Sequence, residues 1–426
     1  MNFLEKYRST VDEVNRLSLI AFILMLPYPN YIARICWVVF LVTWLLSGRI
    51  LHKPQISLTK ESLLPLVPVL GMVAYFFWGM LSVAWAEDKA AAWEQIGRLV
   101  NFLCLAIVLI WGVSDRIRWQ QCLNTLVLTA IISVAVYMFL YYWLHNTERA
   151  FDKFNDMTQT INWFDVEELT MHIKHRLYYS SILCLAVPSV WLLHNSWQER
   201  FGRTKTVVYS SVIYIILTWG ILISGSRQSL ITLIVIAITL ALISIVRKHK
   251  ATGLALIITS LMVICVCLKL FHPRLQDTTF KEIVAYNPEK GNPALEPRIA
   301  IWHVALENPE QYSLYGVGIG NAPQYLLKKY KEKNWQAYAA RQYAPHNQYL
   351  SVWIELGVLA MLLWLCLSFS TPLFYKGRTR QAALLYTETT ALAMFTESVL
   401  GKIDGIFLLA ATLLLIYLIN REEQTK

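Results

Sequence analysis

Charge is what this chain has least of. Only 15% of its 426 residues are Asp, Glu, Lys or Arg, against about 25% in soluble domains, while 56% are hydrophobic. A soluble protein of this length would divide into two or three domains. No soluble core buries so much apolar surface, and the repeated long apolar runs call for lipid as solvent. Acidic residues are scarcer than basic ones, 28 against 38, which leaves a formal net charge of +10. That balance could suggest nucleic acid. The cations instead form short clusters between apolar runs, such as Arg247-Lys248-His249-Lys250 and Lys376-Gly377-Arg378-Thr379-Arg380, the pattern that sets topology in membranes. Cysteine is missing from the long hydrophilic segments. Cys36, Cys104, Cys122, Cys184, Cys265, Cys267 and Cys366 all lie in or at the edge of apolar runs, which speaks against a disulfide framework. The single residue between Cys265 and Cys267 does not match a zinc-knuckle spacing, and all seven are read as packing residues. No internal repeat is evident. The N-terminus lacks a cleavable signal pattern, so its first apolar run is read as the first span.

What is present is about twelve spans, giving an all-α polytopic membrane protein. The first two, about Arg16–Tyr28 and Tyr31–Leu46, are short and could form a re-entrant hairpin around Pro27-Tyr28-Pro29-Asn30. The others are read at about Leu64–Ala84, Gly97–Val113, Gln121–Leu144, Arg176–His194, Val207–Ile223, Ser229–Val246, Thr252–Phe271, Gln348–Phe369, Ala382–Val399 and Ile403–Ile419. Nine spans thus fill residues 1–271, a hydrophilic loop occupies 272–345, and three spans with a tail fill 346–426. Arg49 and Lys53, Arg116 and Arg118, Arg200, Arg203 and Lys205, and the two clusters above fall on one side with both termini. The positive-inside rule makes that side cytoplasmic. Two hydrophilic regions, about 145–175 and 272–345, then lie outside. In the larger, Glu296–Glu307 has helical spacing. Asn321–Asn334 reads as an amphipathic helix able to lay Tyr325, Leu326 and Tyr330 on the membrane while Lys328, Lys329, Lys331 and Lys333 face water or phosphate.

Charges at membrane depth are expensive and need a partner or a role. Arg227, in Ser224-Gly225-Ser226-Arg227-Gln228-Ser229, sits between two spans with almost no connecting loop. It either snorkels to headgroups or clamps an anion, because guanidinium is a planar, always-charged, multi-donor group. Arg298 follows Pro297 at a helix start, where anions are attracted, or is an ordinary surface residue. His346, in Pro345-His346-Asn347-Gln348, stands at the mouth of a span as a candidate general base or an interfacial hydrogen-bonding residue. His175-Arg176 forms a similar mouth. Glu397 is a carboxylate in a span and so a functional candidate, though Lys402 could simply pair with it and Asp404 is close by. Gly316-Val317-Gly318-Ile319-Gly320-Asn321 lacks the spacing and strand–helix context of a nucleotide loop and reads as a turn. Glu87-Asp88 reads as an exposed loop rather than a metal site.

Taken in order, Ser224-Gly225-Ser226-Arg227, Pro297-Arg298 with Trp302, Gly316–Asn321, Pro345-His346-Asn347-Gln348-Tyr349 with Glu355-Leu356-Gly357, and Thr396-Glu397-Ser398-Val399-Leu400 resemble the O-antigen ligase and polymerase superfamily. The specific part covers about Ile173–Leu409. The resemblance implies a GT-C-like membrane glycosyltransferase with no metal or other cofactor and no nucleotide sugar. It implies a donor glycan on undecaprenyl pyrophosphate, and an acceptor that is the lipid A core in ligases or another lipid-linked repeat unit in polymerases. Carried over, Arg227 and Arg298, with Arg176 as a further basic position, would grip the pyrophosphate. His346 would deprotonate or orient the acceptor hydroxyl. The spacing from His346-Asn347 to Gly357 resembles ligases; Ala360, where their pattern has glycine, threonine or tyrosine, departs from it and keeps a polymerase open. A lipid-linked glycan flippase is the reading from another class. It fits less well, because the polar residues gather at one face rather than at the bilayer midplane.

Overall fold

A computed structural model describes residues 2–51, 64–148, 174–246 and 297–424. The span read at 252–271, the cluster 247–250, Lys53, Cys265, Cys267 and most of the stretches 145–175 and 272–296 lie outside the described residues. The described chain is all-helical. In order it contains α1 (Asn2–Met25), α2 (Asn30–Leu46), α3 (Val67–Ser82), α4 (Lys89–Trp111), α5 (Trp119–Glu148), α6 (Arg176–Phe201), α7 (Arg203–Ile223) and α8 (Arg227–Val246). There follow α9 (Pro297–Leu306), α10 (Ala322–Glu332), α11 (Gln336–Arg341), α12 (Gln348–Ser370), α13 (Gly377–Thr396) and α14 (Ile403–Gln424). Eight helices, α3 to α8 with α12 and α14, are long and apolar enough to cross a membrane, so the protein is a multi-pass membrane protein. Helices are the natural answer to this composition, because lipid offers no hydrogen-bond partner and each backbone amide must be satisfied within its own segment.

Burial separates the centre of the bundle from its rim. The apolar windows of α6 and α14 are 89% and 78% buried, against 39% to 44% for α3, α4, α5, α7 and α8. The rim helices present apolar side chains outward, as α2 does with Ile35, Val38, Val42 and Leu45. Lipid covers such surface.

The bundle has two distinct ends. At one, Arg49 pairs with Asp12 at 3.0 Å, Arg116 bonds Ser9, Arg421 donates to the carbonyls of Val113, Ser114 and Ile117, and Arg378 lies over the Trp119 ring. These are the cations grouped from the sequence. At the other end Asn30 bonds Asp404, Asp88 bonds Asn321, and the starts of α6, α8 and α12 gather. The first two helices span both ends and do not form a re-entrant hairpin. Helix α1 has 24 residues, about 36 Å at 1.5 Å per residue. It reaches the first end through Asp12 because its polar first half continues the helix. There Asn15, buried, donates to the Phe40 carbonyl and to Thr43 of α2.

Helix α12 is broken at Gly357, where φ is 84° and ψ 176°. The break turns the Val358 amide to the Ser313 carbonyl at 2.7 Å. The carbonyls of Ile354 and Glu355 accept from the Val317 and Gly318 amides at 2.8 and 2.9 Å, and that of Leu356 from Trp78 Nε1 at 3.0 Å. The Glu355 carboxylate accepts from the amides of Gly320 and Ala322. The glycine-rich segment is therefore a backbone splint. A Cβ at Gly316 would lie 2.2 Å from the Glu355 backbone, and one at Gly357 2.0 Å from the Leu314 carbonyl oxygen.

Helices α9, α10 and α11 cap this part of α12 with a second core of Ile301, Val304, Tyr312, Leu326, Tyr330, Tyr338 and Ile354. Helix α10 thus does not lay Leu326 and Tyr330 on the membrane as its amphipathic pattern suggested; both are fully buried against protein. An apolar stripe is satisfied equally by lipid or by a neighbouring helix, and here α9, α11 and α12 cover it.

Gly357→Ala should destabilise the protein by about 1–3 kcal/mol through backbone strain alone. Gly97→Ala, in a helix with nothing within 4 Å of its Cβ position, should be neutral or stabilising by up to about 1 kcal/mol. Thermal melts of the two purified variants in one detergent check this; equal midpoints would remove the splint from the account.

Candidate functional site

His346 stands immediately before α12 with φ of 47°, a left-handed conformation that costs a non-glycine residue energy and persists only where surroundings impose it. The imposing contacts are visible. Asn347 caps the helix by accepting from the Leu350 amide at 3.0 Å. The His346 Nδ1 lies 3.1 and 3.3 Å from the two carboxylate oxygens of Glu397. The imidazole side chain is 29% exposed and the carboxylate 5%, so the acid is covered and the base presented. An ionised carboxylate can only accept, so Nδ1 carries the proton in this contact, and in the neutral tautomer the lone pair is on Nε2.

Glu397 follows the end of α13 in extended conformation. The strap from there to α14 is fastened on both sides. Ser398 and Ser351 hydroxyls meet at 2.7 Å, the Leu400 amide donates to Gln348 at 2.7 Å, and Gln95 of α4 donates to the Leu400 carbonyl at 2.8 Å. A cavity of about 270 Å³ opens here, lined by Arg98, Pro345, Gln348, Glu397, Ser398 and Lys402 among others.

The other candidates arrive on helix starts at the same end. His175 precedes α6 within electrostatic reach of Lys402, Glu397, Asp404 and His346; burial first, and the Lys402 ammonium second, hold its imidazole below the usual histidine range. Arg176, half-buried, opens α6. Its carbonyl accepts from the Ser180 hydroxyl, which lies 2.6 Å from Ser229 in the first turn of α8. The starts of α6 and α8 thus adjoin, which sets Arg176 beside the turn carrying the exposed Arg227. Gly225 makes that turn tight, with φ of 64°. Arg298 is in the first turn of α9, one turn from Trp302, whose Nε1 donates to the Pro345 carbonyl at 2.9 Å. Direct contact joins His346 and Glu397. Trp302 and Pro345 link α9, which carries Arg298, to the residue beside His346.

The lesser motifs resolve differently. Asp88 caps α4 by accepting from Ala91 and also accepts from Gln324. Glu397 has His346, not Lys402, as its direct partner. One feature was not read from the sequence: Lys174, 3% exposed, pairs with Asp404 at 2.6 Å, and Asn30 donates to the other oxygen of that carboxylate. A lysine next to His175 was the only signal, and its partner is 230 residues away.

An uncharacterised protein of Haemophilus influenzae is 24% identical over 311 residues, covering 72% of this chain and 71% of the relative. A family model described as O-Antigen ligase matches residues 212–365, the stretch that contains Arg227, Arg298 and His346. Over that stretch the chain is similar to the O-antigen ligase family.

Proposed function

We propose that the protein is an O-antigen ligase of the bacterial inner membrane, transferring a glycan from undecaprenyl pyrophosphate to the lipid A core. The termini are cytoplasmic and the site periplasmic. The observation that carries this reading is the presented imidazole of His346 held by a covered carboxylate, at the end of the bundle where arginine-bearing helix starts converge.

In the reaction the acceptor hydroxyl attacks the anomeric carbon as the bond to the pyrophosphate breaks. The hydroxyl proton passes to His346 Nε2, and the bonding pair leaves with the pyrophosphate. Direct attack inverts the anomeric centre. Charge grows on the leaving group, so fixed cations beside low-dielectric lipid stabilise the transition state far more than they would in water. Arg227, Arg298 and Arg176 supply those cations, and guanidinium forks can fill the role a metal fills elsewhere. Glu397 acts through His346: it fixes the tautomer and offsets the imidazolium charge as the proton arrives.

A polysaccharide polymerase is the second reading, favoured by Ala360. Gly357 does not discriminate, because the break in α12 already requires it. A flippase is disfavoured by polar residues gathered at one end under a structured cap.

Arg227→Ala and His346→Ala should each lower transfer by about 10²–10⁴-fold with normal protein in the membrane, and Arg298→Lys should be damaging because lysine lacks the bidentate fork. Near-normal transfer by any one variant removes that residue from the mechanism. Glu397→Gln should cost about tenfold or more alone and nothing further on top of His346→Ala, since residues acting as a unit are not additive; additive losses would separate the two. In a deletion strain, long polymer held on undecaprenyl pyrophosphate and absent from lipid A core is the expected profile. Single repeat units only, ligated or carrier-bound, would make the protein a polymerase.

A further inference from the structure

A second groove lies on the lipid-facing side of the same end, between α2, α4 and the start of α14. It has a volume of about 600 Å³, and its lining includes Arg34, Trp37, Val38, Arg98, Lys402 and Phe407. Five charged side chains face it: Arg34, Arg98 and Lys402 against Glu94 and Asp404. Both carboxylates are engaged. Asp404 is held by Lys174 and Asn30, and Glu94 pairs with Arg98. Arg34 and Lys402 are exposed, and among the described residues neither has an ion-pair partner. The groove therefore holds two surplus positive charges at its head.

Below that head the surface is apolar in a directed way. Arg34, Val38, Val42 and Leu45 recur at helical spacing on one face of α2, and the last three are 55%, 47% and 52% exposed. A soluble anion has no use for such a track. An amphiphile with a phosphate head and a hydrocarbon tail matches both parts. The groove also shares Glu94, Arg98, Gly401 and Lys402 with the cavity that holds Glu397, so a headgroup at Lys402 sits at the entrance to the His346–Glu397 pair. These cations are separate from Arg176, Arg227 and Arg298.

Resting on the transferase reading above, we propose that this groove seats the phosphorylated headgroup of the acceptor lipid, with Arg34 and Lys402 on its phosphate and the α2 face along its chains. A transferase joining two membrane-anchored molecules must hold both at once, each with its phosphate neutralised. The pyrophosphate of the donor needs cations where bond-breaking charge grows. The acceptor needs only to be docked with its hydroxyl facing the base.

The test is native mass spectrometry of the full chain in detergent, titrated with lipid A and with undecaprenyl pyrophosphate, inorganic phosphate being the soluble competitor. Both lipids should bind together on wild type. Arg34→Gln with Lys402→Gln should weaken lipid A about tenfold or more and leave undecaprenyl pyrophosphate bound. Val38→Trp, which blocks the track and keeps the charges, should weaken lipid A as well, and millimolar phosphate should not displace it. Unchanged lipid A binding in the double variant, loss of undecaprenyl pyrophosphate in its place, or ready displacement by phosphate with Val38→Trp silent would each overturn the inference. Failure of wild type to bind undecaprenyl pyrophosphate would sink the donor assigned to the transferase, while the lipid A arm still reads the groove.

Discussion

Backbone hydrogen bonds cannot be left open beside lipid, and the break in α12 is where that constraint shapes the protein. At Gly357 the helix ladder is interrupted, and the amides of Val317 and Gly318, the Ser313 carbonyl and the Trp78 indole take over its lost partners. Segment 313–320 must therefore lie against α12, and this draws the cap of α9, α10 and α11 over the same end. The break also frees the first turns of α12 from the axis of the rest, with His346 at their head. The glycines act here as close-approach residues, since any side chain would meet backbone.

The polar groups at this end are held by mutual fastening. Glu397 lies on a strap tied to α12 through Ser351 and Gln348 and to α4 through Gln95. Lys174 and Asp404, nearly buried, link the approach to α6 with the start of α14 and, through Asn30, with the turn between α1 and α2. A buried pair of this kind contributes little net stability once desolvation is counted, but losing one partner leaves a charge stranded. Its effect is to lock the register of three elements around the site. In the proposed mechanism the imidazole then needs no rearrangement to present Nε2, as preorganised catalysis asks of a base.

Helices α6, α8, α12 and α14 start on the face that carries His346, and α7 and α13 end on it, so N-terminal amides and C-terminal carbonyls meet there beside Arg176, Arg227 and Lys402. The opposite end collects the other cations, which are spent on carbonyls and carboxylates of short turns such as Arg421 on Val113 and Ser114.

Much of this was legible in residue order. Runs of apolar residues and the placement of Lys and Arg determined the helices, their alternation and which connections share an end, because hydropathy and charge act locally on each segment. Helical spacing marked α9 and α10, and Arg176, Arg227, Arg298 and His346 stood out because polar groups at membrane edges are costly wherever they occur. The tertiary structure alone decided the partners. It paired Glu397 with His346 rather than Lys402 and joined Lys174 to Asp404. It turned the stripe of α10 onto protein rather than lipid, and made a glycine turn the splint of a broken helix. Each of these joins residues distant in sequence, and a contact across a folded bundle leaves no periodicity in the chain that makes it.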